Sequence, residues 1–180
     1  MAIFKAYSSN VEVNGETVLS VVNGVGVFKK QSIDILAKNG INDPKPGEWY
    51  SQQAWLDSFK EISEKIGAKT LNVIGKAIPA NAKFPPDIDN IDKGLSAIDM
   101  AYHMNHRGGE IGHYTYTKTG DNSGKMVCTN PYPCEFDMGI IEAMAERFLP
   151  SDSIMVTVEH TDSHVCRKTG AESCTYVITW

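Results

Sequence analysis

The feature that most restricts the fold is a change of hydrophobic period after the middle of the chain. Within 48–66 the apolar residues Trp55, Leu56, Phe59, Ile62 and Ile66 recur at steps of three and four, the spacing of one buried helical face, and Gly67 closes the run. Ile88, Ile91, Leu95, Ile98 and Tyr102 repeat the pattern, with Asp87 as N-cap and the stripe ending at Arg107-Gly108-Gly109. Shorter helices are expected around Ile33, Ile35, Leu36 and Ala37, stopped at Asn39-Gly40, and from Leu71 to Ile78, stopped by Pro79. From residue 111 the pattern alternates instead. Residues 111–118 carry Thr and Tyr in the β style, 120–124 make a turn, and 125–129 return, which predicts a hairpin. Phe136, Ile140, Ile141, Met144 and Phe148 return to helical spacing, and 154–160 and 174–180 read as the last two strands. At the other end, 11–13, Asn14-Gly15 and 17–22 read as strand, tight turn, strand, because Asn-Gly readily adopts a type I′ turn. With no repeat and no boundary signal, the expectation is a single α+β domain over 1–180, a largely antiparallel sheet packed against several helices.

Composition excludes several classes of function. A chain of 180 residues buries a core without needing a covalent staple. Seventeen Lys and Arg against 22 Asp and Glu leave a formal charge of -5, the wrong sign for a phosphate backbone, so no direct nucleic-acid partner is expected. The longest apolar stretch, 18–28, is interrupted by Ser20, Asn23, Gly24 and Gly26 and falls short of the roughly 20 residues of a membrane span. Met1-Ala2-Ile3-Phe4-Lys5 lacks the basic start and apolar run of a secretory signal, so a cytoplasmic location with reduced cysteines is expected.

The densest chemical signal lies between the final strands, where His160, His164, Cys166 and Cys174 fall within fifteen residues. Zinc takes four soft or borderline donors in a tetrahedron, and thiolates with an imidazole meet that need once a turn, here eased by Gly170, folds them together. Cys134 follows Pro131-Tyr132-Pro133 at the expected start of a helix, where the positive end of the helix dipole favours a thiolate. The candidate metal set is therefore Cys134, Cys166, Cys174 and His164, with His160 as the substitute. Two other readings stay open: the cysteines as small buried apolar residues, and Cys134 as a nucleophile paired with a histidine. Cys128, beside Met126 and Val127, reads as core.

Asn130-Pro131-Tyr132-Pro133-Cys134-Glu135-Phe136-Asp137-Met138-Gly139, then Val156, Val158 and Glu159, then Cys166, Gly170 and Cys174-Thr175-Tyr176-Val177-Ile178, together resemble the closing segment of the 4-vinyl-reductase-like domain. The likeness has motif quality over roughly the last fifty residues and reaches the helical middle by layout alone. It implies an α+β fold shared with haem nitric-oxide sensors and Golgi-transport tethering subunits. It also implies a structural zinc held by Cys134, Cys166 and Cys174, as in the ligand domain of phenol-sensing bacterial activators. Where those sensors place a further ligand three residues before the penultimate cysteine, this chain has Ser163, so His164 or His160 has to supply the fourth donor.

The resemblance implies a non-catalytic sensor or binding domain, a homodimer, taking a small apolar or aromatic ligand. The alternatives are an enzyme or accessory protein in tetrapyrrole vinyl reduction, thiol chemistry at Cys134, or a structural tether. Outside the motif, His103, His113 and Tyr116 are candidate ligand contacts, and haem a conceivable cofactor; no Cys-x-x-Cys-His occurs, which excludes covalent haem attachment. Trp49, Tyr50, Trp55, Phe59, Tyr102 and Tyr114 are available to line an apolar pocket.

Overall fold

The computed structural model describes residues 3–161 and 165–180. Asn14-Gly15 does not make a hairpin. Glu12–Asn14 is a short strand, β1, and the next residues form helix α1, Gly15–Gly24. Asn14 caps that helix, its side-chain oxygen accepting from Thr17 N at 3.0 Å, and the β-branched residues of 17–22 are helical because Val18 and Val21 face the core one turn apart. Lys29–Lys38 forms α2. β2, Trp49–Ser51, pairs antiparallel with β1 and leads into α3, Gln52–Lys65, which buries Trp55, Leu56, Phe59 and Ile62 as their spacing requires. Helix α4, Lys69–Asn81, runs two residues past Pro79 rather than stopping before it.

Helix α5, Ile91–Met104, is capped by Asn90, not by Asp87, which sits at φ +65°. It ends before the glycines, and His106–Arg107 forms β3, which pairs with β1 to complete a three-stranded sheet in the order β2-β1-β3. The second sheet is antiparallel and four-stranded, in the order β4-β5-β7-β6, built from Tyr114–Gly120, Ser123–Cys128, Cys174–Thr179 and Thr157–His160 respectively. Met126, Cys128, Cys174, Tyr176 and Ile178 point inward from its two central strands, the period-two pattern of a sheet with one buried face.

Helix α6, Cys134–Arg147, connects β5 to β6 and crosses α4 with the backbones in contact. A Cβ on Gly75 would run into the Phe136 carbonyl and one on Gly139 into the Asn72 carbonyl, so both glycines are required by the approach. This crossing sets the start of α6, and with it Cys134, against the end of β6 and the beginning of β7. Among the described residues no helix is long and apolar enough to cross a membrane.

Candidate metal centre

Cys134, His160, Cys166 and Cys174 converge, one donor atom from each lying within 4.8 Å of the others. Cys134 is the first residue of α6, His160 the last of β6 and Cys174 the first of β7. Cys166 arrives through a tight reversal: its Sγ accepts from Lys168 N at 3.4 Å, its carbonyl accepts from Thr169 N at 2.9 Å and Ala171 N at 3.1 Å, and Gly170 closes the turn at φ +94°. His164 lies outside the described residues, among which His160 is the imidazole at the cluster. Cys128, opposite Cys174 across the β5–β7 pairing, is fully buried and stands outside the group.

The three sulfurs form a near-equilateral triangle, Cys134–Cys166 at 3.3 Å, Cys134–Cys174 at 3.4 Å and Cys166–Cys174 at 3.5 Å, and all are free thiols. Sulfurs on a tetrahedral zinc, each about 2.3 Å from the ion, lie roughly 3.8 Å apart. The triangle is within a few tenths of an ångström of that. His160 Nε2 is buried and makes no hydrogen bond of ordinary geometry among the described residues, although the ring lies close enough to Cys174 to favour its thiolate. Three thiols and an imidazole nitrogen are the donor set zinc prefers, so the residues present fit the ion.

A buried cation already serves the cluster. Arg167, 1% exposed, donates to Cys174 Sγ through its backbone N and Nε, both at 3.4 Å. Its other nitrogens reach the Asn130 carbonyl, Asn130 Oδ1 at 2.6 Å, and Asp137. Asp137 in turn accepts from the Tyr114 hydroxyl at 2.6 Å and Asn130 Nδ2 at 3.3 Å. The Cys174 thiol is held down to about 3 by its hydrogen bond with Cys134, aided by His160 and Arg167. Cys134 is pushed up by the same sharing with Cys174 and by burial. Burial pushes the Asp137 carboxyl up to about 6 against the pull of Arg167. Asn130, Asp137 and Arg167 are supporting residues that motif reading passed over. The signal was present for Asp137, which lies three and four residues before Ile140 and Ile141 on the buried stripe of α6.

A separate apolar cavity of about 30 Å³ lies between the helices and the sheet, lined in part by Thr17, Ile78, Phe84, Tyr102, His106 and Tyr132. His106 Nδ1 is 2.8 Å from the Tyr102 carbonyl and Nε2 is 2.7 Å from the Tyr132 hydroxyl. Burial lowers its pKa to about 4, so the ring is neutral. Thr17 Oγ1 is buried with no hydrogen-bond partner among the described residues. Trp55, Phe59, Tyr132 and Phe136, with successive ring centroids 4.4–6.0 Å apart, pack the neighbouring core. The space holds a water or a molecule of a few atoms. It is about a tenth of the smallest typical ligand pocket, roughly 300 Å³, and both His106 nitrogens are engaged, so a porphyrin does not fit the core as it is packed. His103, His113 and Tyr116 do not line this cavity: the two histidines are exposed beside Asp99, and the half-buried Tyr116 hydroxyl donates to Asp92.

No protein-family pattern matches the sequence, and no curated protein matches it. Solved structures do share the fold. An H-NOX protein from S. oneidensis in the Fe(II)NO ligation state matches with a TM-score of 0.67 at 12% identity, over 92% of this chain and 97% of that one. An unliganded Fe(II) H-NOX mutant from K. algicida matches at 0.61 with 13% identity, over 92% and 95%. A T. tengcongensis H-NOX mutant matches at 0.62 with 14% identity, over 91% and 94%. The α+β architecture is therefore that of the H-NOX fold.

Proposed function

We propose that this chain is a non-catalytic ligand-binding sensor domain of the 4-vinyl-reductase-like kind, its closing hairpin fastened by a structural zinc on Cys134, His160, Cys166 and Cys174. The sulfur triangle beside a buried His160 Nε2 that makes no ordinary hydrogen bond among the described residues carries the metal half of this reading. Zinc with four protein ligands has no open coordination position, so it supplies rigidity and withdraws the thiols from nucleophilic chemistry. The protein's own residues do the remainder. Arg167 and the Tyr176 hydroxyl, which donates to the Cys134 carbonyl at 3.1 Å, hold β7 and its preceding loop to α6. Thiol chemistry at Cys134 is disfavoured by its setting, since the sulfur is buried and packed against those of Cys166 and Cys174.

The sensor half is supported by likeness to a fold of which one solved example is in an Fe(II)NO ligation state, and by an apolar cavity that includes the Thr17 hydroxyl, without a partner among the described residues. As packed, that cavity takes a small ligand of a few atoms, and an aromatic one requires the lining to open. Metal analysis and native mass spectrometry of untagged protein test both halves. The expected result is one zinc per chain, with Cys134, Cys166 and Cys174 shielded together from iodoacetamide until a chelator is added. Less than a tenth of a zinc per chain, with chelator-insensitive stability, removes the staple. Stoichiometric hemin binding with a Soret band that shifts in His106→Gln would replace the small-ligand reading with a haem one.

A further inference from the structure

A second group of metal-type donors lies outside the cysteine cluster and outside the cavity. Asp99 and His103 are one turn apart on α5, and His113 immediately precedes β4; one donor atom from each lies within 4.8 Å of the others. His113 Nδ1 is 3.3 Å from Asp99 Oδ1 and 3.4 Å from Oδ2, and the two imidazole rings are 5.0 Å apart and tilted by 31°.

All three side chains are placed from behind. Asp99 Oδ1 accepts from Tyr114 N at 2.8 Å, which fixes the carboxylate toward the sheet edge. The His113 backbone is clamped to Thr129, donating to its Oγ1 at 3.2 Å and accepting from its N at 2.9 Å. Gly112, at φ +80°, permits this approach, since a Cβ there would meet the Thr129 carbonyl. His103 Nδ1 lies 2.9 Å from the Asp99 carbonyl. The tautomer that donates this bond leaves the Nε2 lone pair free, the arrangement of metal-ligating histidines whose other nitrogen is held by a backbone oxygen.

What the group lacks is a cation. Among the described residues the ion-pair partners of Asp99 are these two histidines, and no lysine or arginine is paired with it. We propose that Asp99, His103 and His113 form a second, exchangeable site for a divalent late first-row transition cation such as zinc. Two imidazoles and one carboxylate select such ions over calcium or magnesium. Three protein donors at an exposed edge leave coordination positions for water or an external ligand, which distinguishes this site from the closed cysteine cluster.

The test compares the untagged chain with its His103→Ala/His113→Ala variant, both dialysed at neutral pH against micromolar free zinc. Because the cysteine cluster is common to both, its occupancy cancels in the difference. The wild type is expected to hold one more zinc per chain than the variant, and histidine-selective NMR to show His103 and His113 resonances moving together on titration. Equal zinc content in the two proteins, or zinc-dependent shifts confined to other histidines, would overturn the proposal. Asp99→Asn supplies the milder variant: it is expected to weaken the extra equivalent at least tenfold, and unchanged affinity would count against the carboxylate as a ligand.

Discussion

Replacing His106 with Gln should remove a defined part of the pH dependence of stability. The folded protein holds this imidazole at about 4, against an ordinary 6.5, chiefly through burial. The sign follows from proton counting. Between those two values the unfolded chain binds a proton that the folded chain refuses, so stability is fully present above about 6.5 and falls as pH drops toward 4. The whole shift corresponds to roughly 3 kcal/mol, of which about 1.4 kcal/mol is lost between about pH 7.5 and about pH 5.5. Asp137 titrates in the same window in the opposite sense, since its folded value of about 6 is raised, and Cys174 carries a shifted thiol as well. These groups are shared by wild type and His106→Gln and cancel when the two profiles are subtracted. Gln keeps a donor and an acceptor for the Tyr102 carbonyl and the Tyr132 hydroxyl but cannot take a proton. Urea unfolding at both pH values, with the slope checked for constancy, reads the difference directly. Wild type should lose about 1.4 kcal/mol more than the variant; profiles parallel within about 0.5 kcal/mol would refute a buried, neutral His106.

Three further outcomes follow from packing and polar satisfaction. Gly139→Ala drives a Cβ into the Asn72 carbonyl at the α4–α6 crossing and should cost at least the upper end of about 1–3 kcal/mol, read as a lower urea midpoint at unchanged slope. Arg167→Met leaves Asp137 buried without its cation and is expected to cost about 3–5 kcal/mol in thermal or urea unfolding, with a loss under about 1 kcal/mol contradicting the role assigned to the guanidinium. Thr17→Val removes a buried hydroxyl with no partner among the described residues and should be neutral or stabilising by about 1 kcal/mol; clear destabilisation would mean that a bound water or ligand partners Thr17 in solution.

Much of the architecture was written in the periodicity. The stripes of α3 and α5, the β4–β5 hairpin and the last two strands follow the steps of three and four and the alternation of their residues. The first hairpin was misread because Asn-Gly serves two structures equally well. Here Asn14 caps a helix, and packing of Val18, Val21 and Val25 outweighs the strand preference of their β-branched side chains. Pro79 predicts a stop, yet α4 continues two residues through it.

At the candidate site the three cysteines were legible from their spacing and local context. His164 and His160 stood as alternatives for the imidazole, since the choice depends on where β6 ends; His160 stands at that end, and His164 lies outside the described residues. Arg167 is not legible because a basic residue in a polar loop ordinarily faces water; its burial follows from Asn130 and Asp137, thirty or more residues earlier in the sequence. The cavity was illegible for a related reason. Thr17, Phe84, His106 and Tyr132 meet there from four separate segments, and no local pattern announces their encounter.

X-ray absorption at the zinc edge, on untagged protein carrying only the metal it retains through dialysis, addresses the central claim most directly. The account predicts an ion bound by three sulfurs at about 2.3 Å and one nitrogen at about 2.0 Å. Protein without zinc, or zinc bound by oxygen and nitrogen alone, would contradict it.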